Sequence, residues 1–277
     1  MVDQFEELFR YKDEEPVTEE ARRRREAAAA AAAQFVQLLL AASRYQPPVY
    51  IVLTMRSDYR VDCAEFRDLP ETLNECQYLI PRLTREQRRG AIEGPLGRTE
   101  IAPSLVQRML NDAGDEPDQL PILQHALMRT WGQWRRLDPG QSRRIKLQDY
   151  EAIGGFEKAL DWHAKELLKD VPEEIAATIF KRLTARSRGN RERRDPATLA
   201  QLWDVCGAAT PEQKAEVTAV INHFRKGEAT FLSPRMEQVL DLRPDDYVDI
   251  THESLIRQWE KLRDWVKEET NRSFLRI

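Results

Sequence analysis

The stretch VDQFEELF, residues 2–9, decides how this chain is interpreted. It places Asp3 directly after an apolar residue and follows it with the carboxylate pair Glu6 and Glu7. A carboxylate at a strand end can hold Mg²⁺ through water, and a second carboxylate nearby can orient an attacking water. The spacing therefore predicts a phosphate-handling edge, although an ordinary acidic stretch has the same residues. Because the sequence starts at Met1, we expect the strand that leads into Asp3 to be missing.

A second stretch, VYIVLT at residues 49–54, is a continuous run of β-branched and apolar residues. Such a run predicts a strand that is buried on both faces, as in a parallel sheet. The polar residues after it lie at the carboxyl edge, where open α/β sheets bind ligands. Arg56 lies there, and its guanidinium suits a γ-phosphate or the carboxylate pair, with a plain surface arginine as the alternative. Residues 77–80 predict a weaker strand, and residues 18–45 predict a long helix.

The composition argues against nucleic-acid binding and membrane insertion. The 43 basic and 47 acidic residues give a net charge of -4, so no global basic field indicates nucleic-acid binding. We find no apolar run of the roughly 18 residues that a membrane span needs and no signal-peptide pattern, so no membrane contact is expected. The three cysteines are odd in number and lack CxxC spacing. They indicate a reduced, cytoplasmic compartment.

Helical patterns follow from residue 84 onward. Thr84 and Gln87 have the spacing of a capping box, which predicts the start of a helix. Residues 105–111 predict another helix, and a longer one begins near Pro121, because proline suits a first turn.

The last hundred residues have a different order of predicted helices and strands. Three amphipathic helices, the second at 196–205, are followed by predicted strands at 229–232 and 247–250. Three helices and then a β-hairpin form the order of a winged helix. A single final helix is predicted for residues 253–269.

The expected phosphate loop is absent from these residues. Phosphate binding in this class of enzyme uses GxxxxGK[ST], whose backbone N–H groups and lysine hold the β- and γ-phosphates. None of the 11 glycines is followed by Lys-Ser or Lys-Thr. We therefore expect the chain to have no P-loop of its own.

The four histidines lie far apart in the sequence, and no pair has the spacing of metal ligands on one helix. His125 and His163 are interpreted as helix-packing residues. His252 lies where the last strand meets the last helix, and such a turn can present an imidazole to a phosphate. A packing histidine is an equal alternative at that position.

Six stretches together resemble one family. They are VDQFEELF (2–9), VLTMRSD (52–58), AIEGP (91–95), QLPILQHAL (119–127), YEAIGG (150–155) and ITHESLIRQW (250–259). In this order, and over nearly the whole chain, they resemble the STAND class of signalling P-loop NTPases. The match is to the bacterial novel STAND NTPase type, which is often fused to WD-repeat propellers. The first stretch resembles the Walker B motif and the second resembles sensor 1.

The resemblance implies a fold that is mostly α, with the remnant of a parallel P-loop sheet. It implies three domains. These are a truncated nucleotide-binding α/β core at residues 1–82, a helical domain at 83–168 and a winged-helix domain at 169–277.

The resemblance also implies catalytic roles at the first edge. Asp3 would coordinate Mg²⁺, and Glu6 or Glu7 would position the water. Arg56 would sense the γ-phosphate.

Two further residues resemble the family's nucleotide contacts. Pro121 resembles the proline through which the helical domain touches the nucleotide, although Gln119 stands where many relatives have glycine. His252 resembles the winged-helix histidine that locks onto ADP in the resting state.

Members of the family alternate between a closed ADP state and an open ATP state that oligomerises, so the resemblance implies Mg²⁺ and ATP or ADP as cofactors of the intact protein. A C-terminal repeat sensor triggers the change, and an N-terminal effector delivers the output. This chain lacks the Walker A half, the effector and the repeats. We therefore expect a fragment or degenerate gene product that alone binds no nucleotide. Its P-loop segment would be intramolecular or separately encoded.

Two other functions stay open on the sequence. A winged-helix DNA-binding regulator would use an arginine cluster to contact phosphates; the cluster comprises Arg186, Arg188, Arg191, Arg193 and Arg194. Glu192 interrupts it, and the helix-turn-helix is not notably basic, so nucleic acid is not an expected partner. The other function is a non-enzymatic scaffold in which a partner chain completes the open sheet edge.

Overall fold

A computed structural model describes residues 1–12, 19–47, 49–96, 100–114, 119–140, 142–186 and 192–274. The chain divides into two compact units, Met1–Arg82 and Leu83–Ile277. Helix makes up 63% of the structure and the strands are few and short, which confirms a mostly α fold. The division of the second unit at residue 168 stays a prediction.

The first unit is built around one long helix. It contains a 3-10 helix at Phe5–Lys12, α1 at Glu19–Ser43, 3-10 helices at Ser57–Arg60 and Asp62–Glu65, and α2 at Leu69–Cys76. On α1, Ala32, Val36 and Leu40 recur every four residues and are buried against Phe5 and Phe9. This spacing keeps the three side chains on one face of the helix, so a single apolar stripe anchors α1.

The segment 49–54 contacts the start of the chain but is not the predicted buried strand. Val2 and Leu53 form an isolated parallel bridge, in which Val2 N–H donates to Val52 O at 2.8 Å and Thr54 N–H donates to Val2 O at 2.9 Å. Tyr50 is 90% exposed, so burial on both faces is wrong.

Residues 77–80 form no strand either, and Leu79 is 76% exposed. A parallel strand obtains its hydrogen bonds and its cover from neighbouring elements. The described residues supply one such neighbour to 49–54 and no strand partner to 77–80.

The sequence-based expectation about apolar length is also corrected. Helical residues Arg22–Ser43 are long and apolar enough to cross a membrane, by length and composition. The alanines raise the mean hydropathy of this segment even though Gln34 and Gln37 interrupt the continuous apolar run. Little of this segment is buried. One such helix is weak support for a membrane span, because core helices and signal sequences also reach this length and hydropathy.

The second unit begins with five helices around one core. They are α3 at Arg85–Glu93, α4 at Pro103–Asp112, α5 at Gln119–Leu137, α6 at Leu147–Ala152 and α7 at Gly155–Leu168, with a 3-10 helix at Gly94–Leu96. Thr84 and Gln87 form the predicted capping box. Pro121 lies in the first turn of α5, as its position predicts.

The remaining elements surround a second core. They are α8 at Glu173–Arg182, β1 at Thr184–Arg186, β2 at Glu192–Arg194, β3 at Ala197–Thr198, α9 at Leu199–Val205, α10 at Pro211–His223, β4 at Leu232–Ser233, β5 at Tyr247–Ile250, α11 at Glu253–Gln258 and α12 at Glu260–Phe274. Strands β1 and β2 pair antiparallel, and a three-stranded antiparallel sheet has the order β3-β5-β4.

Three predictions for this region need correction. In the range predicted as a helix at 196–205, strand β3 precedes helix α9. The strand predicted for 229–232 is wrong except at Leu232, where β4 begins. The predicted final helix is two helices, broken at Trp259, whose backbone is extended. Trp259 is fully buried, and its ring lies 4.8 Å from that of Phe180 between centroids. The helix breaks where this large ring enters the core. The spacing of apolar residues in the sequence does not reveal such a break.

Asp149 at the start of α6 is a buried carboxylate held by three donors. It is 2% exposed, accepts two bonds from Arg143 at 2.7 and 2.8 Å, and accepts Lys146 N–H at 2.8 Å. Burial alone would raise the pKa of Asp149, but the bonds from Arg143 and Lys146 outweigh it and lower the pKa. The ionised form therefore stabilises the fold.

We predict that Asp149→Asn lowers the free energy of unfolding of the second unit by about 2 kcal/mol at pH 7, since it removes charge-assisted hydrogen bonds. Urea unfolding followed by tryptophan fluorescence measures this unit, because all six tryptophans lie within it. Because the folded pKa is lowered, the difference between wild type and variant should vanish as the pH falls below about 3.9 and through the folded pKa. The control Glu151→Gln changes an exposed carboxylate of the same helix and should have little effect.

Candidate functional site

The parallel bridge aligns Asp3 with Thr54. The Thr54 hydroxyl donates to Asp3 Oδ1 and accepts the backbone N–H of Gln4 at 3.3 Å. Asp3 itself is exposed. Thr54 is therefore a positioning residue for the predicted metal-binding carboxylate, and its hydroxyl bonds both the Asp3 side chain and the Gln4 N–H.

The chain turns sharply immediately after Asp3. Gln4 has a φ of 52°, a left-handed conformation that costs free energy for any residue other than glycine. Phe5 N–H donates to Thr54 O at 2.8 Å, and Glu7 N–H donates to Gln4 O at 2.9 Å. These bonds hold the strained turn, so the 3-10 helix with the carboxylate pair begins directly at the end of the paired segment.

Glu6 has a buried carboxylate oxygen that lacks a hydrogen-bond partner among the described residues. The residue is half-buried, and this oxygen is its Oε2. A buried carboxylate oxygen without a partner is rare in folded proteins and is commonly satisfied by an ordered water. Glu6 therefore suits the predicted water-positioning role better than its exposed neighbour Glu7.

Arg56 lies two residues beyond Thr54, at the same end of the paired segments. Its guanidinium donates to the Asp58 carboxylate at 3.0 and 3.2 Å, and its side chain is 44% exposed. The bonds to Asp58 fix the orientation of a cation near the Asp3 edge. The structure thus places Asp3, Glu6 and Arg56 within a few residues of the Val2–Leu53 bridge.

The residues present fit a Mg²⁺ ion that is also coordinated by waters and a substrate phosphate better than a metal site made of protein ligands alone. No group of three or more histidine, cysteine or acidic residues able to hold a metal occurs among the described residues. Mg²⁺, however, is usually held by one or two carboxylates together with waters and substrate phosphates. Asp3, with the Thr54 hydroxyl beside it, is a donor set of this kind. A bound Mg²⁺ would neutralise phosphate charge there.

In the second unit, arginines of α3 hold the end of α4, the helix that precedes α5 in the chain. Arg85 donates to Leu110 O at 3.2 Å and to the Asn111 side chain at 2.6 Å, while Arg88 donates to Gly114 O. These bonds cap the end of α4, a few residues ahead of the turn that contains Pro121. Gln119 Oε1 is buried there without a hydrogen-bond partner among the described residues.

His252 connects β5 to α11. Thr251 anchors it, because Thr251 N–H donates to Phe231 O at 3.0 Å and its hydroxyl donates to Thr230 O at 2.6 Å. Desolvation lowers the pKa of His252, and the charges of Arg194 and Arg235 lower it further. The imidazole is therefore neutral at pH 7 and lies in a positive field, which suits an anion.

His125 and His163 are far apart in the sequence but close together in the structure. His163 Nδ1 and His125 Nε2 lie 3.3 Å apart. Burial lowers the pKa of His125 to about 4, with contributions from Arg129 and then His252. Pro121 lies in the first turn of the same helix.

Sequence reasoning missed two of these features. The sequence indicates Thr54 as the end of a predicted strand but does not pair it with Asp3. The signal available was a hydroxyl residue at the carboxyl edge of an apolar run. The His125–His163 contact joins residues 38 positions apart on two helices, and no local pattern indicates it.

We predict that Thr54→Val frees both the Asp3 carboxylate and the Gln4 N–H. Loss of one net hydrogen bond costs about 1 kcal/mol, which is roughly a fivefold change in an equilibrium constant. Native-state hydrogen exchange should therefore show about fivefold faster opening at the Gln4 amide. Thr54→Ser keeps the hydroxyl and is the matched control. Unchanged exchange in Thr54→Val would show that Thr54 does not position Asp3.

Comparison with known proteins identifies the family. The sequence model of the family described as Novel STAND NTPase 1 matches residues 1–277. Neither a curated protein nor a solved structure matches the chain. Because the match covers the whole sequence, the chain belongs to the Novel STAND NTPase 1 family.

Proposed function

We propose that this chain is the central and C-terminal part of a STAND-type signal-transduction NTPase, a conformational switch controlled by ADP and ATP. Family membership supports a STAND-type signalling module. The observation that carries the finer proposal is the parallel pairing of Val2 with residues 52–54, which aligns Asp3 with Thr54. This pairing puts the Walker B-like and sensor 1-like stretches side by side.

The proposed roles follow from the arrangement of the edge. Asp3 would hold Mg²⁺ on the nucleotide phosphates, and Glu6, whose buried oxygen lacks a described partner, would orient the attacking water. Arg56 would leave or share its bond with Asp58 to contact the γ-phosphate.

Pro121 and His252 would contact the nucleotide from the second unit. A ligand that binds one arrangement of the domains better than another shifts the equilibrium toward that arrangement. ADP held by His252 would in this way stabilise the closed state.

The domain assignment is part of the proposal. The order α8, β3, α9, α10, β4, β5 is the order of a winged helix. We assign residues 1–82 to the nucleotide-binding core, 83–168 to the helical domain and 169–277 to the winged helix. In this assignment the winged helix acts inside the switch.

A DNA-binding role is not favoured. Arg186, Arg188 and Arg191 lie outside the described residues or have no described side chain, whereas Arg193 and Arg194 are described. Arg194 donates to Asp249 at 2.8 Å and to Ile250 O at 3.3 Å. These bonds fix Arg194 of β2 to β5 within the unit, which supports a structural role for this arginine.

We propose that the phosphate loop is supplied by a separate segment, encoded in the same polypeptide or another one. Most donors of a phosphate cradle are backbone N–H groups, which a few side chains cannot replace. None of the 11 glycines in these 277 residues opens a GxxxxGK[ST] loop. These residues alone would then neither bind nor hydrolyse nucleotide.

The open edge of residues 49–54 supports such a partner. Successive residues of a strand point to opposite sides, so Val52 and Thr54 bond toward Val2 while Ile51 and Leu53 face away. In the described part of the chain, Ile51 and Leu53 have no backbone hydrogen-bond partner. An added parallel strand would satisfy them.

The other expected features remain proposals. An N-terminal effector and a C-terminal repeat sensor would complete the switch, the activated state would be a homo-oligomer, and the compartment would be the cytoplasm.

We predict that binding of Mg²⁺-ADP requires the missing loop. Calorimetry on the 277-residue chain should show no heat up to about millimolar ligand, which corresponds to about 4 kcal/mol. A longer chain, or a mixture with a segment carrying GxxxxGK[ST], should bind, and Asp3→Asn should then remove the Mg²⁺ dependence. Glu75→Gln, an exposed acidic residue of α2, is the control. A longer chain with a P-loop that binds nothing would defeat the proposal.

We also predict that association with the P-loop segment depends on the outward edge. Ile51→Pro deletes an N–H that faces away from Val2, so it should abolish co-purification with the segment while leaving the Val2–Leu53 bridge intact. Ile51→Val keeps the N–H and should associate normally. Full association of Ile51→Pro would show that the segment docks elsewhere.

A further inference from the structure

Three aromatic rings meet inside the second unit and join elements from both of its cores. His125 of α5 lies 5.2 Å from His163 of α7, and Phe231, just before β4, lies 5.6 and 5.1 Å from them, between ring centroids. His163 is 4% exposed. We call these three residues the histidine joint. It ties α5 to α7 and to the segment that leads into β4.

The hydrogen bond within the joint exists only while at least one ring is neutral. His163 Nδ1 and His125 Nε2 face each other at 3.3 Å, so one nitrogen donates and the other accepts. A protonated imidazole has two donors and no acceptor. Protonation of both rings would turn the bond into a contact between two like charges.

The surroundings of the joint also disfavour a positive charge. From α5, Arg129 is 8% exposed, and it pairs with Glu166 of α7 at 2.5 Å. Glu166 is thus already engaged by a cation. At the start of α11, His252 also lowers the pKa of His125, and the charges of Arg194 and Arg235 lower the pKa of His252 itself. The named neighbours of the two rings are therefore mainly cationic or neutral.

The proton affinities follow these surroundings. Burial lowers the pKa of His163 to about 2, with Arg129 and His125 adding to the effect, and burial and Arg129 lower that of His125 to about 4. An imidazole released into water would return to a pKa of about 6.5. Protons therefore bind the released joint far better than the closed joint.

We propose that the histidine joint is an acid-sensitive latch, which opens when its imidazoles take up protons and thereby releases α5 from α7 and from the Phe231 segment. This goes beyond the nucleotide-controlled change and does not depend on it.

The direction and size of the effect follow from linkage. Because the pKa values of the closed joint lie below those of the released joint, the closed state is favoured above about pH 6.5 and loses stability as the pH falls below it. Between pH 7.5 and 5.5 each histidine changes the opening constant by about tenfold. Both together change it by about a hundredfold.

Hydrogen exchange on the full 277-residue chain tests the latch without any nucleotide. The opening constant of amides in α5 and α7, corrected for the intrinsic exchange rates, should rise about a hundredfold from pH 7.5 to 5.5. His163→Gln should reduce this to about tenfold, and His125→Gln/His163→Gln should remove it. His223→Gln, which changes a histidine at the end of α10, should keep the full dependence.

Several results would contradict the latch. An opening constant in wild type that does not change with pH would overturn the latch, as would full pH dependence in the double variant. If the variants do not fold, an NMR titration of the wild-type imidazoles decides. Titration of His125 or His163 near pH 6.5 in the folded chain would overturn the proposal, and their resistance to protonation down to about pH 4 would support it. Nucleotide binding could fail without affecting any of these results.

Discussion

The parallel pairing of Val2 with Val52 and Thr54 is the interaction on which the candidate site depends. Two backbone hydrogen bonds set the register, and the register puts the Thr54 hydroxyl against the Asp3 carboxylate. With another register, Asp3 would face a different residue. The left-handed turn at Gln4 is held by the same contact, because its N–H donates to the Thr54 hydroxyl. The groups of the candidate site therefore owe their alignment to a very short paired segment, and the buried rings of Phe5 and Phe9 hold the adjoining helix in place.

The second unit places its own candidate groups by a different means. Arginines of α3 cap the end of α4, and Pro121 lies in the first turn of the next helix, α5. Thr251 ties His252 to the segment at residues 230 and 231, just before β4. The histidine joint then connects the same helix α5 to α7. Any movement of α5 must therefore alter the contact between the two buried imidazoles.

Helices were predictable from the sequence, and strands were much less so. The capping box at Thr84 and the proline in the first turn of α5 are local signals, and both are confirmed because local hydrogen bonds and spacing determine them. Residues 49–54 have the composition of a buried strand, but burial depends on neighbours that composition does not contain. The break at Trp259 likewise depends on where its ring lies in the core. For the site, the acidic stretch and Arg56 were found from sequence, whereas Thr54 and the paired histidines needed three-dimensional contacts.

The parallel pairing is tested most directly by NMR measurement of scalar couplings across the hydrogen bonds of the first unit. The pairing predicts a coupling between the Thr54 amide nitrogen and the Val2 carbonyl carbon, and another between the Val2 amide nitrogen and the Val52 carbonyl carbon. Both amides should also be protected from exchange. Absence of both couplings, with exchange at the rate of an unstructured peptide, would mean that Asp3 is not aligned with Thr54. The phosphate-facing edge proposed here would then not exist in this chain.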